Sequence, residues 1–96
     1  GLLSQTDLDQ AIAYIAAHPA IAEVAVGPRK VDDALTIIAA YVVPKPGRAG
    51  ELDLDGVNAW VGKHLARYKW PRDLVLVDSL PRGVNGKILR RALGAG

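Results

Sequence analysis

The chain has 96 residues, half of them hydrophobic, with no cysteine. That length holds one modest core and one domain. Without cysteine there is neither a disulfide framework nor a thiolate metal site, and the absence fits a cytoplasmic protein, the localisation expected here. No apolar run is long enough to span a membrane, and no charged-then-apolar leader marks secretion. The net charge of +2 conceals an asymmetry. Up to residue 60, four basic residues face eight acidic ones. After it, Lys63, Arg67, Lys69, Arg72, Arg82, Lys87, Arg90 and Arg91 face only Asp73 and Asp78. A basic C-terminal third implies an anionic partner or a solvated face.

Thr6 with Asp9 three residues on resembles a capping box, with Asp in place of Glu. Leu8, Ile12 and Ile15 then recur at helical spacing, with Ala11 and Ala16 beside them. This helix should stop near His18, because Pro19 disfavours helical geometry before it. From Ala20 to Val26 the pattern alternates, with Ala22, Val24 and Val26 on one face of a strand. Gly27-Pro28 is expected to interrupt that strand, and Arg29 to Asp33 reads as a polar hairpin turn. Leu35 to Val43 is nearly all apolar and rich in β-branched residues, the mark of a strand buried on both faces in the middle of a sheet.

Pro44 to Gly50 is a loop by composition. Asp53 can cap a second helix running to about Ala66, with Leu54, Val57, Val61 and Leu65 along one side and Trp60 widening the stripe. Gly56 and Gly62 weaken it, each by about 1 kcal/mol relative to Ala; at Gly62 the gain is close packing. Pro71 opens an extended segment, and Leu74 to Val77 form a short buried strand. A loop and a short final helix through Ile88, Leu89 and Leu93 complete the chain. The order is α-β-β-α-β-α. The expected fold is a small α+β domain whose roughly three-stranded, mainly antiparallel sheet is packed by helices.

The stretch that carries chemistry is Pro81-Arg82-Gly83-Val84-Asn85-Gly86-Lys87-Ile88-Leu89-Arg90-Arg91. Gly83 and Asn85-Gly86 supply the backbone freedom of a tight, exposed loop. Lys87 sits where that loop ends, anchored by the apolar residues just downstream. The result is an ammonium group on a small mount, presented to something outside the domain. His18, before a proline at a helix end, reads as a helix-terminus residue, and His64 as a surface one. No spacing of His, Asp or Glu suggests a metal site.

This stretch is similar to the C-terminal signature of the adenylate-forming enzymes: the acyl- and aryl-CoA synthetases, the adenylation domains of peptide synthetases and the luciferases. Three further stretches resemble the family in the family's order: His18 to Val26, Ala40 to Gly47, and Leu65 to Arg72. The resemblance covers nearly the whole chain and is strongest to the acyl- and aryl-CoA synthetases. It implies the mobile C-terminal lid of such an enzyme. The large N-terminal domain, which binds ATP, Mg and the acid, is absent from residues 1–96. The chain is then an excised lid or a fragment cut at the hinge, inactive alone, with its own large domain as partner.

The resemblance also implies residue roles. Lys87 is the lysine inserted into the large domain's active site for adenylation of a carboxylic acid, with Asn85 and Gly86 shaping its loop. Asn85 departs from the commonest form, which has Thr before the Gly; Asn tolerates left-handed backbone, so the loop shape should survive. In CoA-forming members the segment Tyr68-Lys69-Trp70-Pro71-Arg72 approaches CoA. Trp70 would stack on adenine and Arg72 would pair with a phosphate, or Tyr68 and Trp70 simply cap the core edge. Two other readings stay open: a lid serving a carrier protein instead of CoA, and a stand-alone basic module for nucleic acid or an acidic protein. The low aromatic content, 5%, and the lack of an aromatic-rich strand motif count against nucleic acid.

Overall fold

A computed structural model describes residues 4–80. The expected lysine loop and final helix lie outside the described residues, as do Asn85, Gly86 and Lys87. The first helix, α1, spans Gln5–Ala16. Its capping box is two residues earlier than the sequence suggests. Ser4 is the N-cap: its Oγ accepts from the Asp7 N–H at 3.1 Å, and the Asp7 carboxylate accepts from the Ser4 N–H at 3.2 Å. Two orphan donors are thereby satisfied reciprocally. The helix ends at Ala17, as the proline two residues on requires. His18 closes it: its Nδ1 accepts from the Ala20 N–H at 3.0 Å.

Strand β1 runs Ile21–Asp32 and β2 runs Leu35–Pro44, paired antiparallel. β1 therefore continues straight through Gly27-Pro28, where the sequence suggests a break, and the Arg29 to Asp33 stretch is mostly strand. The reason is position in the sheet. The strand order is β1-β2-β3, so β1 is an edge among the described strands. A proline there removes no necessary ladder bond. The real turn is at residues 33 and 34, where Asp32 Oδ1 accepts from the Ala34 N–H at 2.7 Å.

A second difference concerns which side chains share a face. The pairing slips between Ile21 and Glu23. The irregularity leaves Ala22 exposed, while Ile21, Val24 and Val26 join one core. A one-residue irregularity changes the phase of the alternation.

β2 is the central strand; it is buried on both faces from Ala39 to Val42, as expected, whereas Leu35 and Thr36 at its start are exposed because they lie at the hairpin end. Ala40 and Val42 face the helices, packed with Ile15, Val57 and Val61. Ala39 and Tyr41 belong to a second cluster with Ala25 and Leu80. β3, Asp73–Leu76, pairs with β2 in parallel. The sheet is thus mixed, with a long antiparallel pair and a short parallel one. Arg29 of β1 and Asp73 of β3 form an ion pair at 2.6 Å across β2, and the Tyr41 hydroxyl donates to the Pro28 carbonyl at 3.2 Å.

The second helix, α2, spans Leu54–Val61, capped by Asp53. The Asp53 carboxylate accepts from the Gly56 N–H at 2.6 Å. The helix is shorter than its apolar stripe suggests, because the chain leaves the helix axis after Gly62. A Cβ at Gly62 would lie 2.6 Å from Trp70 Cζ2 and 2.9 Å from the Asn58 carbonyl. The absent side chain is the space the indole occupies. Leu65 still reaches the core, from the turn that follows. No helix among the described residues is long and apolar enough to cross a membrane.

Gly62→Ala tests this packing. Helix propensity alone would favour alanine by about 1 kcal/mol, whereas a methyl forced against a packed ring costs about 1–3 kcal/mol. Chemical denaturation should show net destabilisation. The penalty should shrink when Trp70 is also changed to a smaller residue, in a Trp70→Leu background.

Candidate functional site

A cleft of about 810 Å³ opens between α2 and the segment leading into β3. Asp55, Asn58 and Ala59 form the helix wall. Arg67, Tyr68, Trp70, Pro71 and Arg72 form the other. The second wall begins with a short 3-10 turn, Arg67–Lys69, and then runs extended through Trp70. Its exit is pinned to the sheet, because the Arg72 N–H donates to the Ile38 carbonyl at 2.8 Å.

The three residues singled out from the sequence in this segment, Tyr68, Trp70 and Arg72, come together on that wall but differ in freedom. Trp70 is held by its own domain. Its Nε1–H donates to the Leu65 carbonyl at 3.0 Å, one end of its ring covers Gly62, and it packs against the main core. Tyr68 is 65% exposed. It is the more exposed of the two rings, with the Lys69 Nζ 5.7 Å from its centroid. Arg72 is exposed, as is Arg67. Neither has a salt-bridge partner among the described residues. Two exposed guanidiniums and one exposed ring form a basic, aromatic wall.

The helix wall supplies acceptors. Asn58 Nδ2 makes a long contact, 3.5 Å, to the Pro71 carbonyl, while its Oδ1 is buried with no hydrogen-bond partner among the described residues. Asp55, Asn58 and Arg67 were not singled out from the sequence. The available signal was weak: Asp55 and Asn58 lie three apart on a helix, and so on one face, beside the Val57 and Val61 stripe.

Behind the wall, the Lys69 Nζ lies 3.1 Å from Asp7 Oδ1 and 3.1 Å from Gln10 Oε1. This pair ties the turn to α1. The Asp7 carboxyl is held below its ordinary range, first by the Ser4 backbone N–H and then by Lys69. The Lys69 ammonium is held above its ordinary range, first by its hydrogen bond to Asp7.

The two histidines are engaged away from the cleft. His18 lies at 5.0 Å, tilted, from the Trp60 ring, and His64 stacks on Tyr14 at 4.7 Å. His64 is exposed, as expected, but its ring is used for α1–α2 packing. Trp60 adds to the same contact: its Nε1–H donates to the Tyr14 carbonyl at 2.8 Å. Among the described residues no group of His, Asp and Glu has the arrangement of a metal site.

The family model of the AMP-binding enzyme C-terminal domain matches residues 13–87. The chain belongs to this family. The match includes both walls of the cleft and ends on Lys87. A putative 4-coumarate–CoA ligase-like protein of Oryza sativa subsp. japonica is 47% identical over 79 residues, covering 82% of this chain and 13% of the relative. Acetyl-coenzyme A synthetase of Rubrobacter xylanophilus is 36% identical over 80 residues, covering 82% of this chain and 12% of the relative. Among solved structures, a benzoate CoA ligase from Burkholderia xenovorans LB400 superposes with a TM-score of 0.76 at 32% identity, covering 90% of this chain and 18% of that one. The domain thus spans about an eighth of the length of these curated relatives.

The Asp7–Lys69 tie makes the domain's stability depend on pH at both ends. Asp7's contribution is complete above its ordinary value of 3.8 and is lost as pH falls through its lowered folded value. Lys69's contribution is complete below its ordinary value of 10.5 and is lost as pH rises through its raised folded value. Thermal unfolding of the wild type and of Lys69→Gln should therefore differ most at neutral pH. The gap should narrow as pH falls below 3.8 and again as it rises above 10.5.

Proposed function

We propose that this chain is the C-terminal domain of an ATP-dependent acid–CoA ligase, and that it acts in both half-reactions from two different surfaces. The observation that carries the reading is the family match reaching the loop lysine, together with relatives named as CoA ligases and synthetases across that span. The remainder of the enzyme supplies the acid pocket and the main nucleotide site and is this domain's partner. Alone, the domain has no ligase activity.

In the first half-reaction a carboxylate oxygen attacks the α-phosphorus of ATP. A P–O bond forms, the bond to the bridging oxygen breaks, and pyrophosphate leaves. Both reactants are anionic, so they repel each other at the distance the reaction needs. Lys87 supplies a compact positive charge on a long stem. It bridges carboxylate and nucleotide, holds them in line, and offsets charge as the phosphoryl group transfers. The resemblance gives Gly86 and Asn85 the role of supporting the lysine's loop, for which both residue types are suited. Mg, where bound, neutralises phosphate charge in the large domain.

In the second half-reaction a thiol attacks the acyl carbon and AMP leaves. The wall at 67–72 suits the nucleotide end of CoA. Arg67 and Arg72, without a salt-bridge partner among the described residues, offer guanidiniums to phosphate oxygens, and Tyr68 is an exposed ring for a base. Trp70 holds this wall in place and is not its stacking surface. A domain with its own core and a short connection to the rest can swing between presenting the lysine loop and presenting this wall.

The test is Lys87→Ala in the full-length ligase, with the two half-reactions assayed separately. Pyrophosphate release from acid and ATP should fall by about a thousandfold, a loss of the size expected when a transition-state charge contact is removed. Thioester formation from supplied acyl-adenylate and CoA should stay within about twofold. Equal loss of both would overturn the role given to Lys87.

A further inference from the structure

The wall at 67–72 divides its side chains between two tasks. Arg67, Tyr68 and Arg72 line the cleft and are exposed. Trp70 and Pro71 also line the cleft but are packed into the domain, with Pro71 buried. Lys69 belongs to neither group. Its ammonium lies over the Tyr68 ring, 5.7 Å from the centroid, and also 3.1 Å from both Asp7 and Gln10 of α1. The Lys69 and Asp7 side chains are each only 20% exposed. The pair is thus partly shielded, and Asp7 is fixed from its other side by the Ser4 N–H.

The 3-10 turn has little else to hold it. It has no side-chain cap at its start. Its backbone bonds are local: the Lys69 N–H to the Ala66 carbonyl at 2.9 Å and the Trp70 N–H to the Arg67 carbonyl at 3.1 Å. Such bonds define the turn's own shape but not where it sits. Trp70 pins the C-terminal side of the turn to α2's end. The Lys69 contacts tie it to the first turns of α1. Two anchors on adjacent residues, aimed at two different helices, fix the direction in which Tyr68 projects.

We propose that Lys69 is a positioning residue for thiol-acceptor binding: clamped to Asp7 and Gln10, it holds Arg67, Tyr68 and Arg72 in the arrangement that receives the nucleotide end of CoA. The inference rests on the acceptor role given to this wall above. Lys69 itself does not touch the ligand. Its charge is used inside the domain, so of the basic residues in the segment only Arg67 and Arg72 are available to phosphate.

Kinetics of the full-length ligase carrying Lys69→Gln test this, with Arg72→Gln and Lys69→Arg alongside. Lys69→Gln should raise the KM for CoA by about tenfold, because a small misplacement of a binding group is costly. The KM for ATP, the KM for the acid and the rate of pyrophosphate release should stay within about twofold. Lys69→Arg, which can still reach the Asp7 carboxylate, should restore most of the affinity for CoA. Gln10→Ala, which leaves the charge pair and the capping box intact, should give an intermediate rise and serves if Lys69→Gln folds poorly. If Arg72→Gln raises the KM for CoA while Lys69→Gln and Gln10→Ala do not, the positioning role is wrong and the acceptor wall stands. If Lys69→Gln raises all three KM values together, Lys69 is merely structural and the proposal fails. If none of these substitutions, Arg72→Gln included, changes the KM for CoA, the acceptor wall itself is misassigned and the inference falls with it.

Discussion

The indole of Trp70 lies where a side chain at residue 62 would have to be. Its Cζ2 is 2.6 Å from the position of a Cβ at Gly62, and its ring N–H donates to the Leu65 carbonyl. That contact closes the short excursion between α2 and β3 onto itself. It ends α2 after two turns, draws Leu65 into the core, and sets the line along which the chain enters the sheet. The cleft is the space left on the other side of this closure. Trp70 is thus packed into its own domain at the edge of the cleft, while the ring two residues before it, Tyr68, is the more exposed of the two.

What could be read from the chain alone follows from how local each cause is. The central strand was legible because two-sided burial leaves a continuous apolar run, and the run is sheltered on both faces at Ala39 to Val42, though not at the exposed Leu35. α1 was legible in its stripe and its stop, but not in its cap. Ser4 and Thr6 both precede an acidic residue by three, and local sequence does not separate them. The structure uses Ser4, and its partner Asp7 is also the residue that meets Lys69. β1 was misread at Gly27-Pro28 because the cost of a proline depends on whether a strand lies at an edge or in the middle, a fact of the whole sheet. The face of Ala22 was misread because one pairing irregularity cannot be seen in a period of two.

The site shows the same division. The segment 68–72 stands out in the sequence, with two aromatics, a proline and two cations in five residues. Which of them face outward depends on Gly62 and Leu65 behind Trp70, and on Asp7 and Gln10 behind Lys69. These partners lie between 5 and 62 positions away along the chain. Asp55 and Asn58 went unnoticed because a polar helix face is ordinarily just a wet one. They become wall residues only through what α2 is packed beside. The charge asymmetry was visible from the start, and its internal use was not: Arg29 and Lys69 are paired within the fold, while Arg67 and Arg72 have no salt-bridge partner among the described residues.

Pro28 has one more effect. Among the described strands β1 is at the edge of the sheet for twelve residues, a long margin for so small a domain. Margins of that kind invite another chain to add itself as a further strand, and an exposed Val31 beside Leu35 would add greasy encouragement. Proline near the middle withdraws one amide from any such template, and its ring obstructs a neighbour from lying flat. The residue that makes β1 look broken thus acts as a gatekeeper against self-stacking, and it does so without shortening the hairpin that Arg29 and Asp73 brace.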